Sequence, residues 1–263
     1  MSAPPATRRR STGLLRLAAS FVLASALARP GLAELRIGAA SSLREPLGAI
    51  ALLFAQQPGA APVAIAYGAS SSLAAQTRAG APLDLILCAD ERIAVELAAE
   101  GIAEAPVRFA GNRLVIVASR DLTLPIFSAQ DLARPEIRRI AIPEYAVPVG
   151  RYARSWLRLH GLAETLEARI VRTEHARATL AVVDQGHAEL AIVYASDARL
   201  ARSARIVFEI PASEQPRIAY AASVLRGPRA ALAHAFVSFL LERDAQAELA
   251  RAGLEPPPPA DSP

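Results

Sequence analysis

The chain carries one cysteine, and that scarcity removes several functions at the outset. Cys88 alone cannot form a disulfide within the chain, even in a compartment that would permit one. It lies in the apolar run Leu85-Ile86-Leu87-Cys88, which reads as a buried core thiol rather than a nucleophile. Histidine is nearly as sparse. His160, His187 and His234 show no metal-ligand spacing among themselves or with Cys88, which argues against a cation site. A Gly-x-Ser-x-Gly elbow is also missing. Gly68-Ala69-Ser70-Ser71-Ser72 comes nearest and lacks the closing glycine, so a serine hydrolase is poorly supported and no enzyme is expected. There is no internal repeat and no long linker. The hydrophobic share of 52% excludes general disorder, and 263 residues suffice for one large domain or two small ones.

Acidic residues are absent from residues 1–33, which hold five arginines. Arg8, Arg9 and Arg10 form a basic start, Leu14 to Leu27 is an apolar stretch, and Gly31-Leu32-Ala33 places small residues where a signal peptidase reads. Residues 1–33 therefore read as a secretory signal peptide cleaved before Glu34, with Ala26-Leu27-Ala28 as a second cut. The apolar run is short and alanine-rich for a membrane span, which leaves an uncleaved anchor as the lesser reading. The paired arginines raise the twin-Arg route, without strong apolar residues directly after them. No lipobox cysteine is present to carry a lipid anchor. Removing the five charges takes the formal net charge from +4 to −1, so the basic balance belongs to the discarded segment. A nucleic-acid-binding function loses its main support. The expected location is periplasmic.

From Glu34 onward short β runs alternate with helical periodicities. Strands are expected at 35–38, 63–67, 84–88, 112–119, 139–142, 168–172, 189–194, 205–210 and 217–225. Helices are expected at 43–57, 71–79, 91–100, 150–160, 176–185, 196–201 and 228–250. This alternation predicts an α/β fold with largely parallel sheets. Pro256 to Pro259 cannot continue a helix and should fray.

The helix starts carry the chemistry. Ala39-Ala40-Ser41-Ser42-Leu43-Arg44-Glu45 runs from a strand into a serine pair, with Ser42 and Glu45 at capping-box spacing. Tyr67-Gly68-Ala69-Ser70-Ser71-Ser72 repeats the arrangement. Pro148-Val149-Gly150 and Thr173-Glu174-His175-Ala176 begin two further helices. Helix starts hold unsatisfied N–H donors in a partly positive field and bind anions without a charged side chain. Singly, each serine is more simply a cap. Periodicity does not show whether the four junctions converge.

These segments resemble those of the periplasmic molybdate-binding proteins, in the type II periplasmic solute-binding family. The first two junctions are similar to its first two ligand loops, the second continuing through Gly80-Ala81-Pro82-Leu83-Asp84 and Cys88-Ala89-Asp90. Gly111-Asn112-Arg113-Leu114-Val115 looks like a strand crossing between lobes. Pro143-Glu144 with Val147-Pro148-Val149-Gly150-Arg151-Tyr152-Ala153 resembles the third loop, and Ala191-Ile192-Val193-Tyr194-Ala195-Ser196-Asp197 the strand bearing a ligand tyrosine. The likeness covers roughly 34–254 in consistent order.

The resemblance implies two α/β lobes joined by two crossing strands, with the ligand in the cleft between them. Lobe one maps to 34–114 plus 223–255, lobe two to 115–222, and 256–263 to a disordered Pro-rich tail. The ligand residues fall on Ser42 and Ser70, through hydroxyl and backbone donors, on Val149 and Ala176, through backbone N–H groups, and on Tyr194, through its hydroxyl. Val149 and Ala176 depart from the family's commonest residues; backbone donation survives the change, while the bulk of Val149 bears on cavity size. The implied function is capture of molybdate or tungstate for an inner-membrane ABC permease and its ATPase, by a monomer without cofactor, the metal being bound as an oxyanion.

The five positions include no Arg, Lys or acid. Such a neutral cage suits molybdate, tungstate or sulfate, which carry no proton at neutral pH, over phosphate, which would want an acceptor. Asp90 and Asp197 lie close enough in sequence to supply one. His175 reads as a solvated or capping residue. Tyr152 and Trp156 read as a packed face, and Arg151, Arg154 and Arg158 as a solvated helical face with some chance of meeting the transporter. Sulfate or another small anion on the same fold is the main alternative. A cytoplasmic effector-sensing domain is a lesser one, since it would need a helix-turn-helix where this chain has a signal-like segment.

Overall fold

The computed structural model describes residues 34–259; the expected signal peptide, 1–33, lies outside them. Strands β1 (Leu35–Ala40), β2 (Val63–Gly68), β3 (Leu85–Cys88) and β4 (Val107–Gly111) alternate with helices α1 (Arg44–Phe54), α2 (Ser70–Arg78) and α3 (Glu91–Ala99). The chain continues through β5 (Leu114–Ala118), β6 (Ile140–Pro143), α4 (Pro148–Leu159), α5 (Ala163–Glu167), β7 (Ile170–Thr173), α6 (Ala176–Asp184), β8 (Leu190–Tyr194), α7 (Ala195–Ala198) and β9 (Arg205–Glu209). It returns in β10 (Ala219–Val224) and closes with α8 (Ala230–Leu240) and α9 (Arg243–Arg251).

Two five-stranded sheets result, ordered β2-β1-β3-β10-β4 and β7-β6-β8-β5-β9. The α/β expectation holds, but the sheets are mixed rather than largely parallel. In each, three parallel strands meet one antiparallel strand, β10 in the first and β5 in the second. Both reversed strands directly follow a passage from the other sheet. A parallel neighbour needs a crossover that returns the chain to the same end, and these passages supply none.

Central strands such as Leu85–Cys88, Leu114–Ala118 and Leu190–Tyr194 are buried along their whole length, because helices cover both faces. Cys88 is fully buried, as its apolar run implied, and burial pushes its thiol up to about 12. Trp156 is buried and donates from Nε1 to Glu214 at 3.2 Å, as expected of a packed face.

Some local expectations change. Strand β4 was not foreseen: it is a short edge strand ended by Gly111-Asn112, and its few alternating residues give a weak signal. The helix expected over 228–250 is two helices, because Glu242 adopts an extended backbone (ψ 159°). That break turns α9 onto α1. The passages between sheets fall at 111–114 and 209–219, so residues 219–222, assigned above to lobe two, pair in the first sheet. The tail also differs. Gly111 and Glu255 exchange backbone hydrogen bonds at 2.7 and 3.0 Å, and Arg217 donates to the Pro259 carbonyl. A Cβ on Gly111 would stand 3.4 Å from Pro258 Cδ and closer still to a carbonyl of the tail, so glycine is what lets the tail approach. Residues 256–259 are docked on the crossing segment instead of fraying.

Candidate functional site

Four chain junctions and two strand ends meet at a single small cavity holding about 10 Å3 of open space. Ala40, Ser41 and Ser42 come from the end of β1, Gly68, Ala69 and Ser70 from the start of α2, and Ala89 from the end of β3. Val147, Pro148 and Val149 come from the start of α4, Ala176 from the start of α6, and Tyr194 from the end of β8. The first group belongs to one lobe and the second to the other. All five expected site residues, Ser42, Ser70, Val149, Ala176 and Tyr194, line this cavity. A larger trough of about 520 Å3 follows the crossing segments past Asn112, Arg217 and Pro258; it is an open surface where no helix starts converge.

Each junction leaves donors free for local reasons. Val147 caps α4 in an extended conformation, Pro148 takes the first helical position and has no N–H to lose, and Val149 follows with its N–H outside the helical ladder. The turn is tight: a Cβ on Gly150 would sit 2.5 Å from the Pro143 carbonyl oxygen, so only glycine lets α4 start there. His175 caps α6 through Nδ1, which accepts from the Ala178 N–H at 3.0 Å, and leaves the Ala176 N–H without an intrahelical partner. This is the capping role anticipated for His175.

The hydroxyls are oriented too. Ser70 Oγ accepts from the Ala89 N–H at 3.0 Å, which leaves its own proton to be donated. Ser42 does not form the expected capping box with Glu45; no side-chain cap is present at that helix start. The strand feeds a 3-10 turn, Ser41–Leu43, before α1, and Ser42 Oγ instead lies 2.9 Å from the hydroxyl of Tyr220. Tyr194 is 1% exposed, and its hydroxyl has no well-formed hydrogen bond among the described residues. Such a buried polar group is costly unless it meets a partner.

Neither Asp90 nor Asp197 lines the cavity. Asp90 caps α3, accepting from the Arg92 N–H at 2.8 Å, and pairs with Arg151. Asp197 is fully buried, 2.8 Å from Arg177 Nε. Burial pushes its carboxyl up to about 6, against the opposing pull of Arg177. Arg177 also pairs with Glu45. The pairs Asp90–Arg151 and Glu45–Arg177 both span the two lobes, and each anchors within three residues of a cavity-lining position. Arg154 departs from the solvated face expected of it. It is 2% exposed, donates to the carbonyls of Pro143 (2.5 Å) and Gly150 (3.1 Å), and stacks on Tyr145. It thus braces the loop that leads into α4, while Arg158 stays on the surface. Tyr220, which adjoins Ser42, and Asn112, which donates to Tyr220, were not expected at the site from the sequence.

With this geometry in view, comparison with known proteins is decisive. Residues 35–255 match the family of bacterial extracellular solute-binding proteins. The chain belongs to that family. It is 32% identical to the molybdate-binding protein ModA of Escherichia coli over 233 residues, covering 85% of this chain and 89% of that one. The structure of the Azotobacter vinelandii periplasmic molybdate-binding protein superposes with a TM-score of 0.75 at 27% identity, covering 85% of this chain and all of that one. The sulfate-binding protein SubI of Mycobacterium tuberculosis superposes with a TM-score of 0.74 at 19% identity, which establishes likeness of fold alone. In this chain both α/β lobes contribute lining to the one cavity. Among the described residues no helix is long and apolar enough to cross a membrane.

Proposed function

We propose that this family member binds molybdate or tungstate outside the cytoplasm and hands it to an ABC importer. One observation carries the reading: hydroxyl and backbone donors from both lobes, Ser42, Ser70, Val149, Ala176 and Tyr194, converge on one small cavity that no carboxylate lines among the described residues. A dehydrated dianion is stable in such a place only when its oxygens are hydrogen-bonded, and five neutral donors fixed on rigid helix starts supply those bonds. The same cage is poor for an anion that must donate a proton, because Asp90 and Asp197 are engaged elsewhere. The names of the similar proteins point to molybdate. Sulfate, equally free of protons and different from molybdate in size, is the second reading.

In this reading residues 1–33 direct export and are removed, the protein acts as a monomer without catalysis, and its partners are a membrane permease and ATPase. Closure of the lobes over the anion is held by the Asp90–Arg151 and Glu45–Arg177 pairs. The test is thermal unfolding of residues 34–263 with molybdate, tungstate, sulfate and phosphate in turn. A ligand at about 100 times its Kd adds about 2.7 kcal/mol. Stabilisation by molybdate and tungstate alone is the expected result. A matching shift with sulfate moves the function to the broader reading, and no shift with any anion overturns it.

A further inference from the structure

We infer that Asn112 and Tyr220 fix the direction of the Ser42 hydrogen bond, and so set the cavity's preference for an oxyanion without a proton. The inference rests on the oxyanion reading above and adds two residues that do not touch the ligand. Asn112, Tyr220 and Ser42 are all nearly or fully buried. Asn112 lies on the passage from β4 to β5. Its Oδ1 accepts from the Arg113 N–H at 2.9 Å, which fixes the amide so that its nitrogen faces the other way. Nδ2 then donates to Ser196 Oγ at 2.8 Å and to Tyr220 Oη at 3.2 Å. An amide nitrogen has two hydrogens and accepts nothing. Tyr220 therefore accepts from Asn112, and its single proton goes to Ser42 Oγ, 2.9 Å away, in preference to the Tyr194 hydroxyl, which interacts with Tyr220 without a well-formed hydrogen bond.

The consequence reaches the cavity. Ser42 Oγ receives a hydrogen bond on its far side, so its own proton points to the ligand. If the ligand donated instead, the Ser42 proton would be left without an acceptor, a costly state for a buried group. Ser70 is committed in the same sense by the Ala89 N–H. Asn112 and Tyr220 act as positioning residues through Ser42.

The experiment is a double-mutant cycle on the mature protein, pairing Tyr220→Phe with Ser42→Ala. Isothermal titration would use molybdate and, at a pH where it is the monohydrogen dianion, phosphate. Phenylalanine keeps the ring packing and removes only the donated proton. The expected result is molybdate binding weakened about tenfold by Tyr220→Phe alone and by less than about twofold when Ser42 is already alanine, the mark of two residues acting as one unit. The molybdate-to-phosphate preference should fall about tenfold in Asn112→Ala, because Tyr220 is then free to accept the Ser42 proton and Ser42 to accept from the ligand. Equal losses in both backgrounds with an unchanged preference would show a merely structural role and overturn the inference. Should Tyr220→Phe fail to fold, Asn112→Ala in the same cycle gives the same test. Wild-type protein that binds neither anion overturns the oxyanion reading itself, a result distinct from failure of the relay.

Discussion

Replacing Tyr194 by phenylalanine should weaken anion binding while leaving the free protein at least as stable as before. The reasoning starts from burial. Tyr194 is 1% exposed, its hydroxyl has no well-formed partner among the described residues, and burial raises its phenol well above the ordinary range. It therefore meets the ligand as a neutral donor. A hydrogen bond to a charged group contributes about 1.5–3 kcal/mol, so its loss should raise Kd by roughly 10- to 150-fold. The unliganded fold gives up no well-formed internal bond, only a loose interaction with Tyr220, and sheds an unsatisfied polar group, so its unfolding free energy should stay level or rise by up to about 1 kcal/mol. Titration calorimetry reads the first quantity and urea unfolding without ligand the second. A phenylalanine variant that binds with wild-type affinity, or one that loses more than about 1 kcal/mol of ligand-free stability, would refute the assignment of this hydroxyl as a ligand donor held in waiting.

Gly150→Ala should cost about 1–3 kcal/mol of stability, since its Cβ would meet the Pro143 carbonyl, and should also displace the Val149 donor; unchanged melting and affinity would remove the argument for a tight turn. Arg151→Gln breaks a partly buried pair between the lobes, and should weaken binding by roughly 1–3 kcal/mol, seen in stopped-flow experiments as faster ligand release with little change in association. A change confined to association would instead mark Arg151 as a steering charge. The carboxyl of Asp197 has a folded value of about 6, above its ordinary 3.8, so the folded state holds this proton more tightly than the unfolded chain. Its contribution to stability is therefore greatest below about pH 4 and declines as pH rises through about 6, by on the order of 3 kcal/mol. In Asp197→Asn that decline should vanish from urea midpoints measured between pH 4 and 7, and an identical pH profile for both proteins would contradict it.

Much of the fold was legible because the signals are local. The runs Leu85–Cys88 and Leu190–Tyr194 are apolar throughout because helices cover both faces, and the serine and Pro-x-Gly junctions mark helix starts by their own backbone chemistry. Family resemblance singled out Ser42, Ser70, Val149, Ala176 and Tyr194, and the tertiary structure places all five at one cavity. Other features had no local trace. The break at Glu242 has neither proline nor glycine to announce it, and depends on where α9 packs. Arg154 lies in the same helical run as the exposed Arg158 and is buried because the Pro143 and Gly150 carbonyls and the Tyr145 ring take its guanidinium. The partnership of Ser42 with Tyr220 joins residues 178 apart in sequence, which no periodicity records. The sequence by itself determined the alternation of strands and helices and the unsatisfied donors at each helix start, since both follow from interactions within a few residues. The tertiary structure alone decided that those donors face one cavity and that the nearby acids turn away to arginines, since both depend on how the two sheets meet.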